Sequence, residues 1–281
     1  MRNLLECVVN ISEGRDQELL EGLRALCGPN LLDVHADEHH HRSVFTLAGG
    51  DELPEVVRAL AREVLERVDL RTHQGVHPRL GAIDVVPWVS LRLGKAGVGE
   101  GEAEAALVER NRFARWAGDH LALPCFLYGP ERSLPELRRQ AWRSLRPDFG
   151  PPLPHPSAGC AAVGARGLLV AYNLWLDGAS REETRQLACL TRGPAVRALA
   201  LEPGGLQQLS FNLIDPLAVG PMEVYDLVVA QLDATHATIS KAELVGLLPG
   251  QVLRSTPKAR WGELGLSEAT TIEARLDEAG L

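Results

Sequence analysis

Arg71-Thr-His-Gln-Gly-Val-His-Pro-Arg-Leu-Gly-Ala-Ile-Asp84 runs directly into Val85-Val-Pro-Trp88. The first half of this stretch cannot be a helix: Gly75 and Pro78 break any helical register, and His77, the residue before a proline, is pushed toward extended geometry. The second half, Leu80 onward, reads as a buried strand. Titratable side chains on a loop at the edge of a core strand are a common way to build an active site. The same residues also suit a surface loop with a solvated histidine and an arginine capping a neighbouring turn.

Working outward, residues 4–9 read as a strand and Asn10-Ile-Ser-Glu-Gly14 as a turn. Residues 17–26 form a helix with Leu19, Leu20, Leu23 and Leu26 at helical spacing, and Ser12 is its expected cap. Residues 31–35 and 43–48 alternate as strands, and residues 52–68 are an amphipathic helix with Pro54 in its first turn. After the His77 loop come a strand at 82–88, a helix at 100–121 and a strand at 125–128. That order is β-α-β-β-α-β with one strand added, a split-βαβ, ferredoxin-like pattern. Residues 133–162 change character into a proline-rich connector. A second cycle follows: a strand at 167–176, a helix from Ser180 to Thr191, strands at 195–201 and 206–213, a helix from Pro221 to Asp233, and a strand at 242–246. The expectation is an α+β sandwich of two ferredoxin-like subdomains, 1–165 and 166–281, packed around a central ligand groove. From Ala259 the chain reads as a polar helix or frayed end.

The chain has 281 residues, 45% hydrophobic and 23% charged, as expected of a globular protein with a sizeable core. A net charge of −8 argues against a nucleic-acid binder, so an anionic substrate would need a local basic pocket. No segment approaches the roughly 18 consecutive apolar residues of a membrane span, and the first residues are charged too soon for a secretory signal. Five scattered cysteines fit reduced thiols in the cytoplasm. Neither a dinucleotide-binding glycine pattern, a Walker sequence nor a Gly-x-Ser-x-Gly elbow occurs.

His39, His40 and His41, near Asp33, His35 and Asp37, suggest a metal site at first sight. Three consecutive residues point in different directions, so a solvated turn is the expectation and no metal is implied. Arg42 is placed to pair with a carboxylate, either a ligand's or a surface partner's. Glu13 suits a site or the start of a helix. Asn173 and Asn212 are amides near strand centres, and each needs a partner across the sheet or in a ligand.

Taken together, Asn10-Ile-Ser-Glu-Gly14, Leu32-Asp-Val-His35 with Arg42-Ser-Val-Phe-Thr46, and Gly75-Val-His-Pro-Arg-Leu-Gly-Ala-Ile-Asp84 resemble the formiminotransferase family in order and spacing. Asp148-Phe-Gly-Pro151, Gly164-Ala-Arg166 with Leu169-Val-Ala-Tyr-Asn173, Asn212-Leu-Ile-Asp215 and Leu244-Val-Gly-Leu-Leu-Pro249 extend the resemblance over nearly the whole chain. It implies transfer of a formimino group from N-formimino-L-glutamate to N5 of tetrahydrofolate, a co-substrate, with His77 as general base. It further implies Asp33 and Asp37 beside the base, and Arg42 and Arg79 for substrate carboxylates. Arg166 would take the folate tail, with Asn10, Glu13, Asn173 and Asn212 lining the site. The family's folate segment falls on Gly150, Pro151, Pro152, Leu153, Pro154, His155, Pro156, Ser157, Ala158 and Gly159. His35 stands where the animal enzyme carries an aspartate, and could act as an acid or hold a water. The resemblance also implies a cytoplasmic homodimer. The animal protein fuses this domain to a cyclodeaminase, which this chain is too short to contain, so the expectation is release of the product to a separate enzyme such as a cyclodeaminase, or use of another formyl donor. Two other readings stay open: a formyltransferase acting on 5-formyltetrahydrofolate and glutamate, and a non-catalytic folate-binding protein.

Overall fold

A computed structural model of the chain describes residues 3–94, 97–232 and 236–281. The expected helix end at Asp233 and the first two residues lie outside them. The chain divides into two compact units, the first holding most of the residues up to Gly167 and the second built on Leu168–Glu278.

The first unit begins with β1 (Asn3–Ile11), α1 (Gln17–Cys27), β2 (Leu31–Asp37), β3 (Arg42–Gly49), α2 (Leu53–Arg67) and β4 (Ile83–Gly94). It continues through β5 (Gly97–Glu100), α3 (Ala103–Leu121), β6 (Cys125–Tyr128), α4 (Leu134–Gln140) and β7 (Ala161–Ala165). The strand order is β2-β3-β1-β4-β7-β6, with β5 pairing β4. The first four strands are antiparallel to their neighbours and have the ferredoxin-like order, while β7 and β6 extend the sheet in parallel. Helices α1, α2 and α3 supply Leu20, Leu23, Val57, Leu60, Val64 and Phe113 to a core under the sheet, which contributes Val9, Ile11, Phe45, Leu47 and Trp88.

The second unit repeats the scheme with β8 (Val170–Asp177), α5 (Arg181–Leu190), β9 (Val196–Leu201), β10 (Gln207–Leu213), α6 (Pro221–Leu232) and β11 (Thr238–Val245). Its antiparallel order, β11-β8-β10-β9, is again ferredoxin-like. The α+β architecture with two subdomains is therefore as expected.

Two local expectations are corrected, and a third is decided between its alternatives. Asp16, not Ser12, caps α1: the Asp16 carboxylate accepts from Leu19 N, while Ser12 Oγ donates to Gly81 O at 2.8 Å. The connector is not uniformly irregular, because Ser133 and Glu136 form a reciprocal capping box that starts α4, and β7 follows. After α7 (Gly250–Ser255), the stretch from Ala259 is helical and not frayed, the first of its two expected forms: it carries α8 (Ile272–Ala279), and Leu264 and Leu266 join the second unit's core.

Leu264 is fully buried and Leu276 of α8 is 2% exposed. Leu264→Ala should therefore destabilise the protein by roughly 2–5 kcal/mol through lost burial and the cavity left behind. A urea titration that finds no change in midpoint would mean this segment does not pack in solution.

Candidate active site

The site grows from the strand alternation of β2. Asp33, His35 and Asp37 are two residues apart and so share one sheet face. Register places Thr46, Val44 and Arg42 opposite them, and Val44 stands opposite Asn10 of β1. Val34 and Phe45 point the other way, into the helical core. The polar row thus occupies the sheet face away from α1 and α2, and α4 covers the β6–β7 part of that face through Leu137, which packs with Val85, Phe126 and Tyr128. Gly164 of β7 leaves room for the Tyr128 ring, since a Cβ there would collide with it.

At the edge of this row stands Asp84, fully buried. Its carboxylate accepts from Arg42 Nη1 at 2.7 Å, from Arg138 Nη2 of α4 at 2.7 Å and from Leu80 N at 2.5 Å. Arg42 Nη2 donates onward to Asn10 Oδ1 at 2.7 Å. Burial alone would raise the Asp84 pKa. The Arg42 and Arg138 charges and the hydrogen bonds outweigh it and hold the carboxyl well below the usual range.

His77 hangs on the loop that leads into Asp84. Its Nδ1 lies 2.8 Å from Pro78 O, and a carbonyl only accepts, so the proton sits on Nδ1 and Nε2 keeps its lone pair. Burial of the ring, then the Arg42 charge, drives its pKa well below the ordinary histidine value, although the residue as a whole is only half-buried. The His40 ring meets it edge-on with centroids 5.9 Å apart.

The histidine run diverges as expected, but the turn is not the solvated one expected, because His40 is buried and His41 half-buried, each against another histidine. His39 is exposed beside Glu38, His40 faces His77, and His41 stacks on His73 with centroids 3.9 Å apart. Among the described residues no group of three or more His, Cys, Asp or Glu is arranged to hold a metal. Asp37 Oδ1 accepts from His39 N and His40 N at 2.8 and 2.7 Å, shaping the β2–β3 turn. Glu13 Oε1 accepts from the backbone N–H groups of Gly14, Arg15 and Asp16 at 2.7–3.0 Å, and His41 Nδ1 lies 3.4 Å from it. Asp33 and His35 are half-buried on the polar face.

Arg79 donates from Nη1 to His41 O and the His73 ring, and from Nη2 to His40 O and His77 O, at 2.8–3.2 Å. Arg166 Nη1 donates to Gly167 O at 2.8 Å, and its charge acts on Glu6, a β1 carboxylate whose pKa burial raises. Glu6 is four residues from Asn10 and so lies on the same face.

Within residues 150–159, Leu153 projects 70% exposed. His155 and Gly159 exchange backbone hydrogen bonds at 2.8 and 3.0 Å, and the His155 ring accepts from Ala158 N at 3.0 Å. Ser157 O and Ala158 O then receive Leu70 N and Ala82 N at 2.8 and 2.9 Å. The segment therefore grips both ends of the His77 loop. In the second unit, Asn173 Nδ2 donates to Glu243 Oε2 at 3.3 Å, which also accepts from Trp175 Nε1 at 3.1 Å. Asn212 is exposed on β10.

Arg138 and Glu6 are absent from the sequence-based set. The capping box at Ser133 and Glu136 announces α4 and hence Arg138. A charged residue inside the apolar run of β1 marks Glu6.

Residues 4–166 match the family model described as "Formiminotransferase domain, N-terminal subdomain". The chain belongs to the formiminotransferase family. It is similar to the glutamate formimidoyltransferase of Streptococcus pyogenes serotype M1, 29% identical with 90% of this chain and 91% of that protein covered. The protein of the same name from Thermoplasma acidophilum is 28% identical over 99% of this chain and 98% of its own length. The formimidoyltransferase-cyclodeaminase of Gallus gallus is 32% identical over 90% of this chain and 51% of the relative. The chain is thus an enzyme of a one-carbon transferase family.

Asp84→Asn removes one charge from a buried group paired with two guanidinium groups, and should cost about 3–5 kcal/mol at neutral pH. A carboxyl whose folded pKa is depressed stabilises above its unfolded value near ~3.9 and loses that contribution as pH falls toward the folded value. Thermal melts should therefore show the gap between wild type and variant narrowing only below about pH 4. A gap that closes already between pH 7 and 5 would contradict this ionisation.

Proposed function

We propose that this enzyme transfers the formimino group of N-formimino-L-glutamate to N5 of tetrahydrofolate, with His77 as the general base. The observation that carries the reading is a neutral imidazole with a free Nε2 beside a hub holding two guanidinium groups against one carboxylate. The first supplies a proton acceptor at cytosolic pH. The second gives an overall acidic chain the local positive charge that a glutamate-derived, anionic substrate requires. The relatives' names, which speak of glutamate and formimidoyl transfer, support this reading, and tetrahydrofolate is the acceptor that the family resemblance implies.

In this reading, N5 of tetrahydrofolate attacks the amidine carbon, forming an N–C bond while the proton on N5 passes to His77 Nε2. The tetrahedral intermediate then collapses by breaking the carbon's bond to the glutamate nitrogen, and the imidazolium returns the proton to that nitrogen. Asp33, His35 and Asp37 share a face with Arg42 and would sit along the electrophile's edge. Arg42 would bring the guanidinium charge for a substrate carboxylate. Arg166 would meet the glutamyl tail, and the 150–159 loop would seat the folate, with its grip on the His77 loop linking that seat to the base. Asn10, Glu13, Asn173 and Asn212 remain the proposed polar lining. The same reading carries a cytoplasmic homodimer that passes its product to a separate cyclodeaminase.

With both substrates present, acid conversion of the product to 5,10-methenyltetrahydrofolate gives an absorbance signal. His77→Ala should lower kcat by on the order of 10²–10⁴ and leave tetrahydrofolate binding near normal. Full activity in His77→Ala would remove the base, and no signal from wild type with tetrahydrofolate still bound would favour a formyl donor or a non-catalytic role.

Because burial and the Arg42 charge lower the His77 pKa, the neutral base persists below the ordinary value of ~6.5. The acid limb of kcat/KM for wild type should accordingly lie below the ordinary histidine value. A limb centred near ~6.5 or above would contradict the packing of the ring.

A further inference from the structure

We infer that Arg79 is a positioning residue that clamps the His77 loop onto the β2–β3 turn, and not the anchor for a substrate carboxylate. The inference rests on His77 being the base.

Arg79 spends both ends of its fork on the protein itself. Nη2 bridges His40 O at 3.1 Å and His77 O at 2.9 Å, so one nitrogen ties the base's own peptide to the turn facing it. Nη1 reaches His41 O at 3.2 Å and the His73 ring at 2.9 Å, and His73 Nε2 lies 3.1 Å from His41 O. A bidentate pair with a carboxylate would need those N–H groups, leaving main-chain carbonyls of both segments without donors.

The surroundings are shaped to the guanidinium. A Cβ on Gly75 would collide with His40 O and Arg79 Nη2, so only glycine lets the loop close over the clamp. Val76 N donates to His39 O at 3.4 Å, and the His41–His73 stack adds a side-chain contact across the same seam. On the far side of His77, Arg138 Nη1 donates to Pro78 O at 3.2 Å, the carbonyl that also holds His77 Nδ1. The two carbonyls that follow the His77 and Pro78 side chains are thus pinned by two guanidinium groups from different directions. Arg79 fixes where the imidazole stands, and Arg138 fixes which nitrogen carries the proton. A lysine offers a point charge with three donors and cannot reproduce a planar fork across four acceptors.

The test uses Arg79→Ala and Arg79→Lys in the full chain, with two readouts. The first follows the His77 ring through a pH titration by NMR of histidine-labelled protein without substrate, assigned against His77→Gln. The groups facing the ring are Arg42 of β3, Asp84 of β4, Arg138 of α4 and His40 of the turn, and all are retained. Loss of the clamp should hydrate the ring and move its titration upward in both variants. Because Arg79→Lys keeps the charge, an upward shift there reads the lost geometry. The second readout is steady-state kinetics: kcat should fall roughly 10²-fold with KM for N-formimino-L-glutamate within about threefold, as expected for a misplaced catalytic group.

A His77 titration unchanged from wild type in both variants overturns the proposal. So does a KM raised more than about tenfold at wild-type kcat, the signature of lost ground-state binding. Wild-type protein inactive with these substrates would defeat the proposed reaction, yet the titration would still decide the role of Arg79. Should Arg79→Ala fail to fold, Arg79→Lys alone carries both readouts.

Discussion

A carboxylate with no solvent contact is costly unless opposite charge and hydrogen bonds replace the water it has lost, and Asp84 has both. Its two oxygens take up Arg42 from β3, Arg138 from α4 and the Leu80 amide from its own turn. Each partner belongs to a different part of the first unit, so satisfying one buried charge fixes three separate elements together. Removing either arginine would leave Asp84 short of the charge that offsets its burial. The Asp84 cluster thus ties the polar face of the sheet to the end of the His77 loop and to α4, beside the apolar packing of Leu137.

That arrangement sets the field in which His77 works. The hub holds one more positive charge than negative, and the surplus lies beside a half-buried imidazole. Protonating the ring there places like charges in a low-dielectric setting, so burial and Arg42 act in the same direction. The same surplus favours a carboxylate-bearing ligand, whose arrival would cancel part of the charge that opposes protonation.

Much of the scaffold was readable from periodicity. Leu19, Leu20 and Leu23 of α1 lie in the core as their spacing implies, though Leu26 is exposed, and two ferredoxin-like cycles follow from the order of strands and helices. The parts that escaped are those where periodicity is weak. Helix α4 is seven residues long with a proline in its first turn, inside a proline-rich stretch that suggests irregular chain. Strand β7, Ala-Ala-Val-Gly-Ala, has one β-branched residue, because Tyr128 and the helices demand small neighbours. At the site, His77 and Arg42 stood out because each sits in a dense polar stretch. Arg138 did not, since the residue that gives it meaning, Asp84, is 54 positions away. Arg79 was visible as a charge, but only the four acceptors around it show what that charge is attached to.

The low basicity of His77 bears on which half of a transfer it would assist most. A general acid–base group is used twice, once to accept a proton and once to return it, and its pKa trades one against the other. A depressed value weakens the ring as a base toward N5, whose proton becomes acidic only as the new bond forms. It strengthens the imidazolium as an acid toward the departing glutamate nitrogen, a poor leaving group unless protonated. An environment of guanidinium groups therefore makes sense for a reaction whose harder step is expulsion of an amine. If His77 carries the proton in the proposed transfer, the charge that discourages the ring from picking up a proton from solvent is the same charge that would drive the proton off once the intermediate is ready to break.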